Sequence, residues 1–174
     1  RYPLRETRDG VEIRRVPLSS FGKKSIPLRV LGGLLLMVQQ IGRGLLVFLG
    51  VGRGDGLEEA EWMAHRIAHL RIFPDASEKM RHAVIDHGLD VLVVSQFTLL
   101  ADTSGGHRPS FTPAAPPEVA EPLYEQVVER LGQAEGIGCV KQGMFGQAMQ
   151  VELVNDGPVT IMLERAPSLP LRQC

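Results

Sequence analysis

The sequence predicts an α+β fold in a single domain. Apolar runs of strand character occur at residues 45–50 and 91–94, the second running on into Ser95-Gln96-Phe97-Thr98-Leu99. Apolar residues recur at three-to-four spacing in two other places, from Ala60 to Ile67 and from Val119 to Leu131. Several strand-like runs therefore share the chain with two separated helices, the pattern of an α+β domain. A length of 174 residues suits one domain with a real core.

Taken in order, residues 1–10 are polar and read as a leader. Val11-Glu12-Ile13-Arg14-Arg15-Val16 alternates like a short strand. Residues 17–29 are rich in Ser, Lys and Pro and read as a loop. Leu45-Leu46-Val47-Phe48-Leu49-Gly50 is apolar throughout, as a buried strand is. Asp55 then stands as the cap of a first helix, with Glu58 three residues on in a capping-box arrangement. Ala60, Met63, Ala64 and Ile67 form its apolar stripe. Val84-Ile85 is a candidate short strand before the central run, Val91–Leu99. A second helix begins between Pro117 and Pro122, with Pro122 in its first turn, where a missing N–H is tolerated. Val119, Leu123, Val127 and Leu131 give its inner face. Residues 150–154 and 159–163 read as strands joined by a turn at Asn155-Asp156-Gly157-Pro158. The domain is placed at residues 11–164, with 165–174 as a C-terminal tail.

Composition bounds the function. Hydrophobic content of 44% and charged content of 22% are ordinary for a globular domain. A net charge of −1 argues against a broad grip on a nucleic-acid backbone, and DNA is not an expected partner. It leaves room for an enzyme that touches only the end of an RNA. Cys139 and Cys174 make no disulfide framework, so a reduced cytoplasmic setting is the default. No apolar run reaches the ~20 residues of a membrane span. The chain opens on Arg1 rather than Met, which leaves a fragment open.

The central run carries the chemistry. Read as a strand, it puts Gln96 and Thr98 on one face and Ser95, Phe97 and Leu99 on the other. An amide and a hydroxyl inside a buried strand need partners, either a ligand or an internal hydrogen-bond network. In the later turn, Gly157 tolerates angles closed to other residues, and the Gly157–Pro158 bond has a small penalty for being cis. Phe145 and Met149 are core residues by default, and Gly143 and Gly146 disfavour a helix there.

Other constellations are weak. Gly50-Val51-Gly52-Arg53-Gly54-Asp55 sits between strand and helix, as a dinucleotide fingerprint would. Its sixth position is Asp55, which would repel a pyrophosphate. His65 and His69 lie four apart, but Arg66 replaces the Glu of a zinc protease, and His82, His87 and His107 complete no ligand pattern. Neither a metal nor a cofactor is expected. Ser95 and Ser110 lack a nucleophile elbow.

Read together, Ser95-Gln96-Phe97-Thr98-Leu99 and Asn155-Asp156-Gly157-Pro158-Val159-Thr160 resemble the D-aminoacyl-tRNA deacylases. The resemblance continues through Arg108-Pro109-Ser110-Phe111, Ala114-Ala115-Pro116-Pro117 and Phe145-Gly146-Gln147-Ala148-Met149-Gln150, over residues 41–164. The related type that clears mischarged L-alanine carries Pro-Gln-Ala-Thr, so this chain is similar to the D-specific type.

The resemblance implies a β-barrel-like sheet with helices packed outside, and a homodimer. Its substrate would be the aminoacylated 3′ end of tRNA, with glycyl-tRNA accepted as well. It implies that Gln96, Phe97 and Thr98 surround the scissile ester, beside Ser95, and that Phe145 and Met149 receive the terminal adenosine. Gly157 and Pro158 of the partner subunit would exclude L substrates. Arg14-Arg15-Val16 stands where the family's first strand ends in Gln-Arg-Val, so Arg15 would buttress that turn. Residues 19–40 follow no family pattern, and Ser104-Gly105-Gly106-His107 replaces a Lys-Gly segment. A covalent Thr98 route stays open, as does a catalytically silent protein that binds the tRNA end.

Overall fold

The computed structural model describes residues 5–8, 11–14, 36–41 and 44–165. The two apolar runs become neighbours in it. Strands β4 (Gly44–Leu49) and β7 (Asp90–Ser95) pair in parallel, with Gly44 opposite Asp90 and Leu49 opposite Ser95. A parallel pair at the centre of a sheet is covered on both faces, which is why both runs read as continuously apolar. Strand β3 (Leu36–Ile41) lies antiparallel on β4, and β9 (Asn155–Leu163) lies antiparallel on β3. Strand β8 (Val140–Gln142) extends β7 in parallel. The order is β8-β7-β4-β3-β9.

This sheet is open. The expected barrel-like closure would need a ladder between its edges. Among the described residues none joins β8, only three residues long, to β9. Two hairpins stand apart from the sheet. One pairs β1 (Arg5–Arg8) with β2 (Val11–Arg14), so part of the polar leader is a strand. The other pairs β5 (Phe73–Pro74) with β6 (Met80–His82).

Both helices pack on one face of the sheet. Helix α1 (Leu57–His69) buries Ala60, Met63, Ala64 and Ile67, the stripe read from its spacing. Helix α2 (Pro117–Gln133) buries Ala120, Leu123, Tyr124, Val127 and Leu131. These side chains meet Leu45, Val47, Leu49, Val91 and Val93 in one core. Each fully buried aliphatic side chain there is worth about 1.5–3 kcal/mol. Leu46 and Val94 are buried on the opposite face.

Several local expectations change. The cap of α1 is Gly56, not Asp55, and Glu59 closes the box by accepting the Gly56 N–H at 2.9 Å. The Asp55 carboxylate is engaged elsewhere, by the Gly52 N–H at 2.7 Å. Val119 points outward, at 43% exposure, because Ala120 and Tyr124 take the inner positions. Pro117 opens α2, which leaves Pro122 inside the helix rather than in its first turn. Residues 84–87 form a 3₁₀ turn instead of a strand. Residues 150–154 are irregular, and the Asn155-Asp156-Gly157-Pro158 turn is absorbed into β9.

Burial holds the Asp55 carboxyl above its ordinary value of 3.8, against the lowering effect of the Gly52 N–H, and Glu59 adds repulsion. Asp55 therefore favours the folded state most below pH 3.8, and that contribution is lost as pH rises through its raised folded value. Asp55→Asn keeps an oxygen for Gly52 and loses the charge. The Tm of Asp55→Asn minus that of the wild type is expected to increase from pH 4 to pH 8. A pH-independent difference would contradict this assignment.

Candidate active site

The parallel strands β4, β7 and β8 all end at one edge of the sheet, the edge where ligands gather in open α/β sheets. The three exits are Gly50–Gly52, Ser95–Thr98 and Gly143–Phe145. The chain does not continue as a strand past Ser95. Gln96 leaves the sheet with φ −147° and ψ 80°, and residues 97–100 form a single 3₁₀ turn. The Gln96 N–H holds on to β4 through the Leu49 carbonyl at 2.8 Å. The Leu99 N–H closes on the Gln96 carbonyl at 3.2 Å.

The turn rearranges the faces expected of a strand. Phe97 is 58% exposed and Leu99 only 3%, so the two do not share an environment. Gln96 and Thr98 do meet, since the Gln96 Nε2 donates to the Thr98 Oγ1. Phe97 and Thr98 occupy the first two positions of the turn, where N–H groups have no acceptor within it. Ser95, Gln96 and Thr98 are half-buried. The edge thus presents main-chain donors and a side-chain hydroxyl beside an exposed aromatic ring. Phe111 stands edge-on to Phe97, with ring centroids 5.1 Å apart. It is anchored by the paired Asp102 and Ser110 and by Arg53, whose Nε donates to the Thr112 carbonyl at 2.6 Å. Backbone and side-chain hydrogen bonds from Ser104 hold the exposed Asp102 carboxyl below its ordinary value.

Phe145 and Met149 come to the same edge from β8. Phe145 is half-buried against Tyr124, with centroids 5.8 Å apart. Met149 is 38% exposed and lies over Gly143, where an added Cβ would meet its sulfur at 2.7 Å. A cleft of about 320 Å³ opens between α2 and this segment, lined by Glu121, Glu125, Gln142 and Phe145 among others.

Gly157 and Pro158 are not at this edge. Strand β9 pairs Asn155 with Ile41 and Thr160 with Gln39. Residues 156–159 thus stand opposite Gln40 alone, and the backbone leaves the ladder there. Gln40 pairs with Leu45, near the start of β4. The excursion therefore sits toward the opposite end of the sheet from Gln96, and three strands across from β7. Strand rise and spacing put the two on the order of 20 Å apart within one chain. Arg15 lies outside the described residues.

The glycine-rich connection after β4 serves the fold. Its Gly52 N–H already holds the Asp55 carboxylate, which leaves that donor to no phosphate. His65 and His69 stack on the exposed flank of α1 at 4.1 Å, with the His69 Nδ1 against the His65 carbonyl.

Besides Gly143, Gly50 is a site glycine that escaped the sequence reading. A Cβ on Gly50 would lie 3.0 Å from the Gln96 carbonyl oxygen, 3.3 Å from Leu100 and 3.4 Å from Leu99. Gly50→Ala is expected to push the turn outward and to cost about 1–3 kcal/mol of stability. Amide chemical-shift changes should concentrate at residues 96–100. An unchanged melting temperature with no shift there would contradict the close approach.

Comparison with known proteins identifies the family. The D-Tyr-tRNA(Tyr) deacylase family matches residues 33–164, which includes β3 and so begins ahead of the residue-41 start expected. A D-aminoacyl-tRNA deacylase of Thermomicrobium roseum is 52% identical over 130 residues, covering 75% of this chain and 83% of that one. One from Anaeromyxobacter dehalogenans is 56% identical over 124 residues, covering 71% and 82%. Among solved structures, a c-Myc DNA unwinding element binding protein superposes with a TM-score of 0.69 at 36% identity, over 76% of this chain and 98% of that one. A probable eukaryotic D-amino acid tRNA deacylase shares the fold, with a TM-score of 0.62 at 18% identity, over 74% and 97%. By sequence over three quarters of its length and by its fold, the chain belongs to the D-Tyr-tRNA(Tyr) deacylase family.

Proposed function

We propose that the chain hydrolyses the ester between a D-amino acid and the terminal ribose of tRNA, releasing free D-amino acid and tRNA. The observation that carries this reading is the Ser95–Thr98 turn at the carboxyl edge of the parallel strands, in a chain of this family. An aminoacyl ester is already reactive. It needs an oriented water and donors for the developing oxyanion more than a strong nucleophile. The Phe97 and Thr98 N–H groups are assigned that donor role. The Thr98 hydroxyl receives its hydrogen bond from the Gln96 amide, and an amide donor cannot remove its proton. A threonine without a base is a poor nucleophile. The attacking water is instead oriented by the substrate's own ribose hydroxyl. Phe145 and Met149 receive the terminal adenine, where stacking contributes about 1–3 kcal/mol per base.

Selectivity is assigned to a second copy of the chain. The Gly157–Pro158 excursion lies too far from its own Gln96 to serve that turn, which supports delivery across a homodimer. The sheet face away from the helices supports the same reading. Strand register puts Met162 and Phe48 on it, and Met162 is 55% exposed. Backbone carbonyls of the partner's excursion would face the substrate α-carbon and leave no room for an L side chain. A D side chain would point outward, whatever its identity, and glycine would be accepted. Arg15 would hold the excursion by hydrogen bonds to its backbone oxygens.

Release of tyrosine from matched D- and L-tyrosyl-tRNA tests the reading. D-tyrosyl-tRNA is expected to be cleaved and the L form spared; equal rates would contradict the selectivity. Thr98→Ala is expected to retain measurable activity on the D substrate. A loss near the million-fold seen on removing a true nucleophile, or an acyl-Thr98 species in mass spectrometry, would contradict the water route.

A further inference from the structure

The two halves of the site are tied together by one side chain from outside it. Tyr124, on α2, is 2% exposed. Its hydroxyl donates to the Val93 carbonyl at 3.0 Å and to the Gly143 carbonyl at 3.2 Å, a three-centre arrangement of one proton. Val93 lies two residues before Ser95 on β7. Gly143 is the first residue after β8 and opens the segment that carries Phe145 and Met149. The Gly143 N–H also reaches the Val93 carbonyl, at 2.8 Å. The Gly143 N–H is therefore fixed against β7 and its carbonyl against α2, and Met149 packs directly over its Cα. The Tyr124 ring meets Phe145 at an interplanar angle of 51°.

Beyond the three residues of β8, this is where the Phe145 segment gains its register on the Ser95–Thr98 turn. Main-chain bonds alone would leave the Gly143 carbonyl without its buried donor, and such groups are costly to leave unpaired. Burial pushes the Tyr124 hydroxyl up to about 12, so it stays protonated as a donor throughout the working pH range.

We infer that Tyr124 is a positioning residue for the terminal nucleoside, setting the distance between the Phe145–Met149 wall and the ester-cleaving turn. The inference rests on the deacylase reading and on the adenine-binding role given to Phe145 and Met149. It extends that reading by separating two contributions. The turn alone handles the ester, and Tyr124 acts only on substrates that carry the base.

Two small substrates test it with the intact chain: the D-tyrosyl ester of adenosine, and the D-tyrosyl ester of methyl riboside, which lacks the base. Tyr124→Phe keeps the ring in its packing and removes the hydroxyl. The KM for the adenosine ester is expected to rise about tenfold, the scale of one lost hydrogen bond. Its kcat, and both constants for the riboside ester, should stay within twofold of the wild type. In a Phe145→Ala background, Tyr124→Phe should add less than twofold, because its effect passes through that ring. A purely structural role would raise KM or lower kcat on both esters alike, and that result would overturn the inference. So would an unchanged KM on the adenosine ester, or an effect fully additive with Phe145→Ala. Wild-type chain that cleaves neither ester would overturn the deacylase reading and the inference with it.

Discussion

Parallel pairing of β4 with β7 is the constraint on which the site depends. It brings the exits of both strands to one edge and aligns Leu49 with Ser95. The Leu49 carbonyl can then take the Gln96 N–H at 2.8 Å, just where the chain stops being a strand. Without that bond the turn at residues 97–100 would have no fixed starting point. The pairing is itself held by burial on both faces. Leu45, Val47, Val91 and Val93 meet the helices, and Leu46 and Val94 are buried behind them. The turn to which the donor role is assigned thus departs from the most deeply buried strands, the kind of support that electrostatic preorganisation requires.

The same topology separates functions in space. The edge with Gln96 and Thr98 can present donors and an aromatic wall. The Gly157–Pro158 excursion is carried toward the other end of the sheet, by an edge strand with a broken register. A single chain has no simple means of joining them. In the proposed homodimer a second chain, packed against the face that carries Met162 and Phe48, would join them. In this account one constraint, the direction of the strands, explains both the exposed donors and the need for a partner.

What was legible in the sequence follows physical lines. The stripe of α1 was legible because burial imposes a helical period on it. Its cap was misplaced by one residue because the Asp55 carboxylate is taken by the Gly52 N–H, a contact that spacing does not encode. The run past Ser95 stays apolar at Phe97, Leu99 and Leu100, so periodicity could not distinguish a 3₁₀ turn from strand. The residues of the candidate site were named through the family resemblance, which the motifs carried well. Gly50 and Gly143 were missed as site residues because what they supply is the absence of a side chain at a close approach, visible only in three dimensions. Strand β3 was missed because Gln39 and Gln40 interrupt its apolar character, although its partner β4 was evident. The expected barrel did not appear because the short β8 forms no ladder with β9 among the described residues.

Subunit complementation tests the central claim most directly. Phe97→Pro removes one donor N–H at a position where proline fits the start of a turn. A second variant, Gly157→Ala with Pro158→Ala, alters the excursion alone. Each variant by itself should lose D-selective hydrolysis of tyrosyl-tRNA. Mixed dimers contain one site built from the intact turn of one chain and the intact excursion of the other. The account predicts that mixing the two variants, with subunit exchange, restores cleavage of D-tyrosyl-tRNA with the L form spared. No recovery on mixing, while exchange is demonstrated, would place turn and excursion within one chain and contradict the account.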